Sequence, residues 1–215
     1  MKTISLLGAG GFIGNHVRQA IAGQPTLLLQ PSGAEVIIDV CGPGDPRDFS
    51  DLSDVGENLR EWSGKMSEAI CRAKAPVHVI HLSTMDLDFP PDVPQLYLVY
   101  KTLQRDFLRV WIETHGISLT ILETSCVYGL EMTSTRFLSL AVRAAKDNRP
   151  IKAFSKAGVP SERPWTSVSH LAQALVSLAK KEKPSSKEEI LQYFSFQADS
   201  RWIAKRIVNL LGSSS

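Results

Sequence analysis

The sequence predicts an α/β fold, a parallel sheet with helices on both faces, and three observations carry that expectation. Short apolar runs (TISLL, EVIID, VHVIHLS and ISLTIL) alternate with long amphipathic stretches. The first run ends directly at a glycine-rich turn, LLGAGGFIG. Hydrophobic residues make up 43% and charged residues 21% of 215 positions, enough apolar side chains for a sheet covered on both sides.

The elements follow in order. Thr3 to Leu7 is an apolar run stopped by glycine, the pattern of a central parallel strand. Phe12 to Ala22 reads as a helix with Ile13, Val17, Ala20 and Ile21 on one side, stopped by Gly23 and Pro25. Thr26 to Gln30 is a second strand, closed by Pro31, Ser32 and Gly33, and Glu35 to Cys41 a third. The polar stretch Asp45 to Asp54 predicts a surface loop. From Gly56 to Lys74, Leu59, Trp62, Met66, Ala69 and Ile70 recur at helical steps, and VHVIHLS after Pro76 is strand four. Asp88 to Pro94 is proline-rich loop. Leu96 to Thr114 is a helix carrying Tyr97, Tyr100, Leu103, Phe107, Leu108 and Trp111, and Ile117 to Leu122 is strand five.

After Tyr128 and Gly129 the regular alternation ends. Helices are expected over Ser134 to Asp147, Ser169 to Lys181 and Ser200 to Leu211. Short strands are expected at Ile151 to Phe154 and Ile190 to Phe196, with loop from Val159 to Trp165 and a frayed tail at Ser213 to Ser215. The division this suggests is a nucleotide-binding domain over 1–130, joined by 165–180, and a smaller interleaved substrate-binding region over 131–212.

Composition excludes several classes. The net charge of +2 is too small to favour a nucleic-acid polyanion or an anionic membrane, and the basic residues are scattered without aromatic interleaving. No apolar run approaches the roughly 20 residues that span a bilayer. Cys41, Cys71 and Cys126 are odd in number and widely spaced, with no metal-binding pattern, as expected of reduced thiols in a cytoplasmic protein. The MKTISLL start runs into glycines rather than a long apolar core with a cleavage site, so it reads as a strand and not as a signal peptide.

The glycine turn is the strongest local signal. Gly8, Gly11 and Gly14 stand between a strand and a helix. Gly8 permits the tight turn, Gly11 removes a side chain where a pyrophosphate would approach, and Gly14 lets the helix pack on the sheet. The backbone N–H groups of the helix start, at Phe12, Ile13 and Gly14, point at the anion with the helix dipole behind them. The acid that would bind the adenosine ribose is not placed by spacing. Asp39 lies 25 residues after Gly14, but Thr26 to Gln30 is the better second strand, and its tip reads Gln30, Pro31, Ser32. NAD and NADP therefore both remain open.

Tyr97 and Lys101 are four apart at the start of a helix and share a face. A lysine ammonium there favours the ionised tyrosine and can hold a nicotinamide ribose, while the tyrosine exchanges a proton with a substrate hydroxyl or carbonyl. Ser83 and Thr84, at the mouth of the preceding strand, supply a hydroxyl to orient that oxygen. Tyr100 precedes Lys101 directly, so their side chains diverge. His78 and His81 lie three apart on a strand and face opposite sides, which makes them poor co-ligands for a metal. His16 reads as a surface or interface residue. Glu123, Glu131 and Asp86 are lesser candidates for contact with a substrate.

LLGAGGFIG, HLST before YLVYK, ILETSCVYG and RPWTSVSHLAQAL together resemble the extended short-chain dehydrogenase/reductase family, the NAD-dependent epimerase/dehydratase group. The resemblance implies a Rossmann-like domain with a small C-terminal substrate-binding region, a bound NAD or NADP, and substrates that often are nucleotide sugars. It implies Tyr97 and Lys101 as the catalytic pair and Thr84, with Ser83 beside it, as the hydroxyl. Arg163 looks like the family's nucleotide-binding arginine, and the helices near 56–74 and 96–114 like its homodimer contact. The activity implied is oxidoreduction or epimerisation at a hydroxyl or keto group. A cofactor-binding scaffold or redox-sensing subunit with little catalysis is the alternative.

The chain also departs from the family. It is shorter, with a strand–helix segment lost between Thr26 and Glu35 and a shortened loop between Thr84 and Tyr97. The strand Glu35 to Cys41 then resembles the family's fourth strand. The family's usual Arg-Pro reads Glu123-Thr124, and the Asp-Glu pair of dehydratases reads Met85-Asp86, which disfavours 4,6-dehydration.

Overall fold

The structure, a computed structural model, describes residues 1–43, 49–85, 95–129, 132, 137–151, 155–156, 159–160, 162–182, 184 and 187–211. The chain divides into two compact units. One comprises Met1–Thr124 with Ser169–Tyr193, the other Ser125–Val168 with Phe194–Ser215.

The first unit is built on strands β1 (Lys2–Leu7), β2 (Leu27–Leu29), β3 (Val36–Asp39), β4 (His78–Thr84), β5 (Ser118–Thr124) and β10 (Glu188–Gln192). Its helices are α1 (Phe12–Ala22), α2 (Leu52–Arg72), α3 (Gln95–His115) and α5 (Val168–Lys180), of which only Val168 falls in the other unit. The strands form one parallel sheet in the order β10-β5-β4-β3-β1-β2. This is the expected Rossmann-like sheet with one edge strand fewer. β3 lies beside β1 on the side away from β2, the place of a fourth strand.

The crossing from β2 to β3 carries no helix, although parallel strands usually need a dozen or more residues to connect. It needs only residues 30–35 because β2 is short and stops level with Ile4, where β3 begins. The backbone of this crossing is tied down by Gln30 N–H to the Ile4 carbonyl, Glu35 N–H to the Thr3 carbonyl, and Gly33 N–H to the Arg72 carbonyl.

β3 and β4 are buried along their whole length, as central strands must be. On one face Ile37, Val79, Leu119 and Ile121 pack against Trp62 and Met66 of α2 and Leu108 and Ile112 of α3. α2 begins at Leu52, four residues before the apolar periodicity starts, which corrects the loop expected over Asp45 to Asp54 from residue 52 onward. The cause is a side-chain cap: Asp51 accepts from Ser53 N–H at 2.8 Å and Asp54 N–H at 3.1 Å.

The second unit holds β6 (Val127–Tyr128), α4 (Phe137–Lys146), β7 (Ser155–Lys156), β8 (Val159–Pro160), β9 (Glu162–Ser167), β11 (Phe196–Asp199) and α6 (Ser200–Leu211). A sheet of order β11-β9-β6 is held by Trp165, whose indole donates to the Ala198 carbonyl at 3.0 Å. Ala198, Ile203, Phe137 and Tyr128 complete this small core. Two expectations are corrected here. The segment Val159 to Trp165 is not a loop but supplies strand β8 and most of β9, where Pro164 is tolerated opposite Gln197. The single strand expected over Ile190 to Phe196 is two strands, β10 and β11, one in each unit. The strand expected at Ile151 to Phe154 falls mostly, and the loop at Asp88 to Pro94 wholly, outside the described residues. No helix among the described residues is long and apolar enough to cross a membrane.

Candidate functional site

The strand order reverses between β1 and β3, and ligands of open α/β sheets bind outside the carboxyl ends of the strands at such a point. The glycine turn lies there. Gly8 has φ +82°, and a Cβ on it would stand 3.0 Å from Val40 C and from Cys41 N, so the turn abuts the backbone that leaves β3. A Cβ on Gly14 would stand 1.9 Å from the Gly8 carbonyl oxygen. Gly11 differs, since its Cβ would meet only that oxygen, at 3.4 Å, and Gly10 faces open space. The turn closes with Gly11 N–H on the Gly8 carbonyl at 3.0 Å, and α1 opens with Asn15 N–H on the Gly11 carbonyl at 2.9 Å. Gly11 caps α1 without a side-chain bond, and no acidic residue occupies the first turn. The N–H groups of Phe12, Ile13 and Gly14 thus precede the first intrahelical bond, with the positive end of the dipole uncompensated. This cradle fits a pyrophosphate.

Segment 40–42 links the turn to α3. The Lys101 ammonium lies 3.7 Å from the Cβ position of Gly42, two residues beyond the Val40 backbone that packs on Gly8. It also points at the Leu82 carbonyl, 3.4 Å away, and lies over the Tyr100 ring at 5.8 Å. Lys101 is buried, and burial pushes its pKa down from 10.5 to about 8, with the Asp39 charge resisting the fall. Tyr97, one turn earlier on α3, is half-buried and packs against Phe49, Val55 and Tyr100. Tyr100 is a core residue. Its hydroxyl accepts from Gln104 Nε2 at 3.0 Å, its ring meets Phe49, and burial pushes its pKa up.

Alternation along β4 separates the two candidate hydroxyls. Ser83 shares the face of Val79 and His81, which α2 and α3 cover, while Thr84 takes the opposite face. Both are buried, and Ser83 Oγ has no hydrogen-bond partner among the described residues.

Sequence reasoning missed the buried network next to this site. Asp39 is fully buried and accepts from Trp62 Nε1 at 2.8 Å, His81 Nδ1 at 2.8 Å and Cys41 N–H at 3.0 Å. It is therefore on β3, enclosed, and is not the acid at the tip of the second strand. Burial works against its ionisation, but the bond to His81, with those from Trp62 and Cys41, keeps its carboxyl below the usual range. Burial lowers the His81 pKa, and the same enclosure, with Asp39 beside it, pushes the Cys41 thiol up to about 12. His78 points the other way, to Thr120 Oγ1 at 2.9 Å. Glu123 is paired with Arg105 at 2.9 Å, and His16 Nδ1 binds the Phe12 carbonyl within its own helix. Arg163 lies half-buried on β9 in the second unit. Asp86 and Glu131 fall outside the described residues. No His, Cys, Asp or Glu cluster fit for a metal occurs among the described residues.

Comparison with known proteins agrees with this fold. The sequence profile described as the NAD dependent epimerase/dehydratase family matches residues 69–192. Among solved structures, UDP-glucuronic acid 4-epimerase from Bacillus cereus, in complex with UDP-glucuronic acid and NAD, superposes with a TM-score of 0.81 at 17% identity, over 99% of this chain and 84% of that one. RMD from Pseudomonas aeruginosa, complexed with NADPH, gives 0.77 at 13% identity over 99% and 86%. DesIV, a dTDP-glucose 4,6-dehydratase from Streptomyces venezuelae with NAD and TYD bound, gives 0.75 at 16% over 99% and 82%. A search of curated sequences finds no match.

Two predictions follow from the geometry. Gly14→Ala drives a methyl into backbone and is expected to cost about 3 kcal/mol or more in urea unfolding, whereas Gly11→Ala stays within about 1 kcal/mol of wild type. For Lys101, the unfolded chain holds a proton between about pH 8 and 10.5 that the folded chain has released. Wild type should therefore gain stability with rising pH across that window relative to Lys101→Met, by up to on the order of 3 kcal/mol. A flat difference between the two unfolding curves would contradict the shift.

Proposed function

Because the chain belongs to the NAD dependent epimerase/dehydratase family, we propose that it is an NAD(P)-dependent oxidoreductase or epimerase acting on a hydroxyl or keto group of a nucleotide sugar. One observation carries the reading: the glycine cradle and Lys101 meet the same segment, 40–42, so a dinucleotide lying on the turn extends toward the helix that bears Tyr97.

When bound, NAD(P) would supply a nicotinamide able to accept and return a hydride. Gly8, Gly11 and Gly14, with the N–H groups of Phe12 and Ile13, hold its pyrophosphate. A cavity of about 380 Å³ beside the turn, walled by Ala9, Leu29, Gln30 and Lys65, gives room for the adenosine half. The tip of β2 itself reads Gln30, Pro31 and Ser32, and across the same cavity Glu68 and Arg72 of α2 pair with each other, so NAD and NADP remain equal candidates. Lys101 holds the ribose next to the nicotinamide and favours the ionised form of Tyr97. Tyr97 takes the proton from the substrate hydroxyl and returns it to the carbonyl oxygen in the reverse sense. Ser83 or Thr84 orients that oxygen from the end of β4. Arg163, on the smaller unit, binds the nucleotide diphosphate of the substrate. The smaller unit is thus the substrate-binding region and the larger the dinucleotide domain. Cys41, Cys71 and Cys126 form no disulfide, which suits the reducing setting this reading expects. A homodimer through α2 and α3 belongs to the same reading.

The test has two arms. Mass spectrometry of nucleotide released from the purified protein, and calorimetry with NADH and NADPH, should show a bound dinucleotide whose affinity falls at least about tenfold in Gly11→Leu, at nearly unchanged stability. In turnover of UDP- and dTDP-sugars followed by NMR, Tyr97→Phe should lose about 100-fold or more in kcat while remaining folded. Equal turnover in both proteins removes Tyr97 from the chemistry. Dinucleotide binding with no turnover of any hydroxyl or keto substrate would make the protein a cofactor-binding subunit instead.

A further inference from the structure

We propose that Asp39 is a positioning residue for Lys101: its carboxylate, fixed by His81 and Trp62, is the buried counter-charge that keeps the ammonium charged and seated beside Gly42. The inference rests on the reading of Lys101 as the lysine of the site.

The charges of the core carry the argument. Besides the Tyr100 phenol, the buried ionisable side chains among the described residues are Asp39, His78, His81, Lys101 and Glu123. Glu123 is satisfied by Arg105. His78 is turned to the other face, toward Thr120. The three donors on Asp39 are an indole, a backbone amide and an imidazole that burial keeps neutral. They satisfy the lone pairs of the carboxylate without cancelling its charge. Lys101 is the converse case. Its ammonium has a carbonyl, a ring face and a glycine around it, and no carboxylate within 4 Å among the described residues. A buried ion without a counter-charge is costly, and two such ions of opposite sign in one buried site relieve each other. Lys101 is linked to Asp39 through the backbone on both sides. Asp39 binds the amide of Cys41, next to Gly42, and His81 precedes Leu82, whose carbonyl the ammonium approaches.

The other groups around the ammonium do not fill this role. Cys41, at the end of β3, is a neutral thiol. Tyr97 and Tyr100 on α3 are phenols, and Arg105 on α3 and Lys65 on α2 are cations. Glu61 on α2 is exposed and engaged with Lys65. The Asp39 anchor also fixes the imidazole: Nδ1–H donates to the carboxylate, which leaves Nε2 as a buried acceptor without a partner among the described residues. Nothing in that arrangement competes with Lys101 for a proton at neutral pH.

The test is a titration of the cofactor-free protein with ¹³Cε-labelled lysine, followed by NMR, the Lys101 signal being the one lost in Lys101→Met. The wild-type midpoint is expected near 8. In Asp39→Asn, which keeps the shape and removes the charge, it should fall by about one unit, a tenfold loss of proton affinity. An unmoved midpoint overturns the proposal. Should Asp39→Asn fail to fold, Asp39→Asn/Lys101→Met decides. The double variant is expected to fold and to recover most of the urea midpoint lost in Lys101→Met alone, whereas a further loss overturns the proposal. Neither measurement needs turnover, so the two failures are distinguishable: a protein that binds no dinucleotide would end the functional reading, whereas an unmoved Lys101 midpoint would end the pairing of Asp39 with Lys101.

Discussion

The contact on which the rest depends is backbone against backbone. Gly8 turns with φ +82° into the chain leaving β3, and a single methyl there would overlap Val40 and Cys41. No side chain absorbs error at such a junction, so β1 and β3 must lie in one register and α1 must leave the sheet in one direction. Gly14 repeats the constraint one turn later, against the Gly8 carbonyl. The result is a fixed amino end of α1 with no side-chain cap, bordered by a strand end that also borders Lys101. A phosphate held there, as proposed, would meet backbone N–H groups whose geometry the turn cannot relax.

The short crossing over residues 30–35 has a second consequence. With no helix there, β3 takes the place beside β1, and its last residue, Asp39, is enclosed between β1 and β4. A carboxylate in that place cannot read a ribose. It organises instead the indole of Trp62, the imidazole of His81 and the amide of Cys41. The short crossing thus leaves the glycine turn in place, beside a cavity lined by Gln30 and Pro31 at the tip of β2 and by Glu68 and Arg72 of α2.

Much of this was legible in the sequence. Periodicity located every strand of the main sheet as far as β5 and gave α1 and α6 their observed bounds, because those segments bury one uninterrupted face. It failed where a single side chain or a partner strand decides. The start of α2 is set by the Asp51 cap, which carries no periodic signal. β9 forms around Trp165 although Pro164 interrupts the pattern, and the run that looked like one strand over Ile190 to Phe196 parts at Tyr193, between the two units. In the candidate site, the glycines and the Tyr97/Lys101 pair could be read because their spacing is local. The Asp39 network could not, since its members lie 23 and 42 residues apart and meet only when the sheet is assembled. The one available hint was an aspartate and a histidine ending two apolar runs.

The sheet itself explains why stability and chemistry can coexist on one face. Toward the amino ends of the strands, the face under α2 and α3 is apolar, with Ile37, Val79, Leu119 and Ile121 in van der Waals contact with both helices. Two residues further along each strand the same face turns polar, with Asp39, His81 and Glu123, and then Ser83. The apolar layer supplies the burial that fixes the helices. The polar layer above it is affordable only because each charge has a partner or a set of donors. The layer is not wholly satisfied, since His81 Nε2 has no hydrogen-bond partner among the described residues, and neither has the Ser83 hydroxyl. Ser83 stands where the polar layer meets the carboxyl edge of the sheet, on the side that α3 covers. Two unsatisfied polar atoms there mark the part of the core where burial is least well compensated.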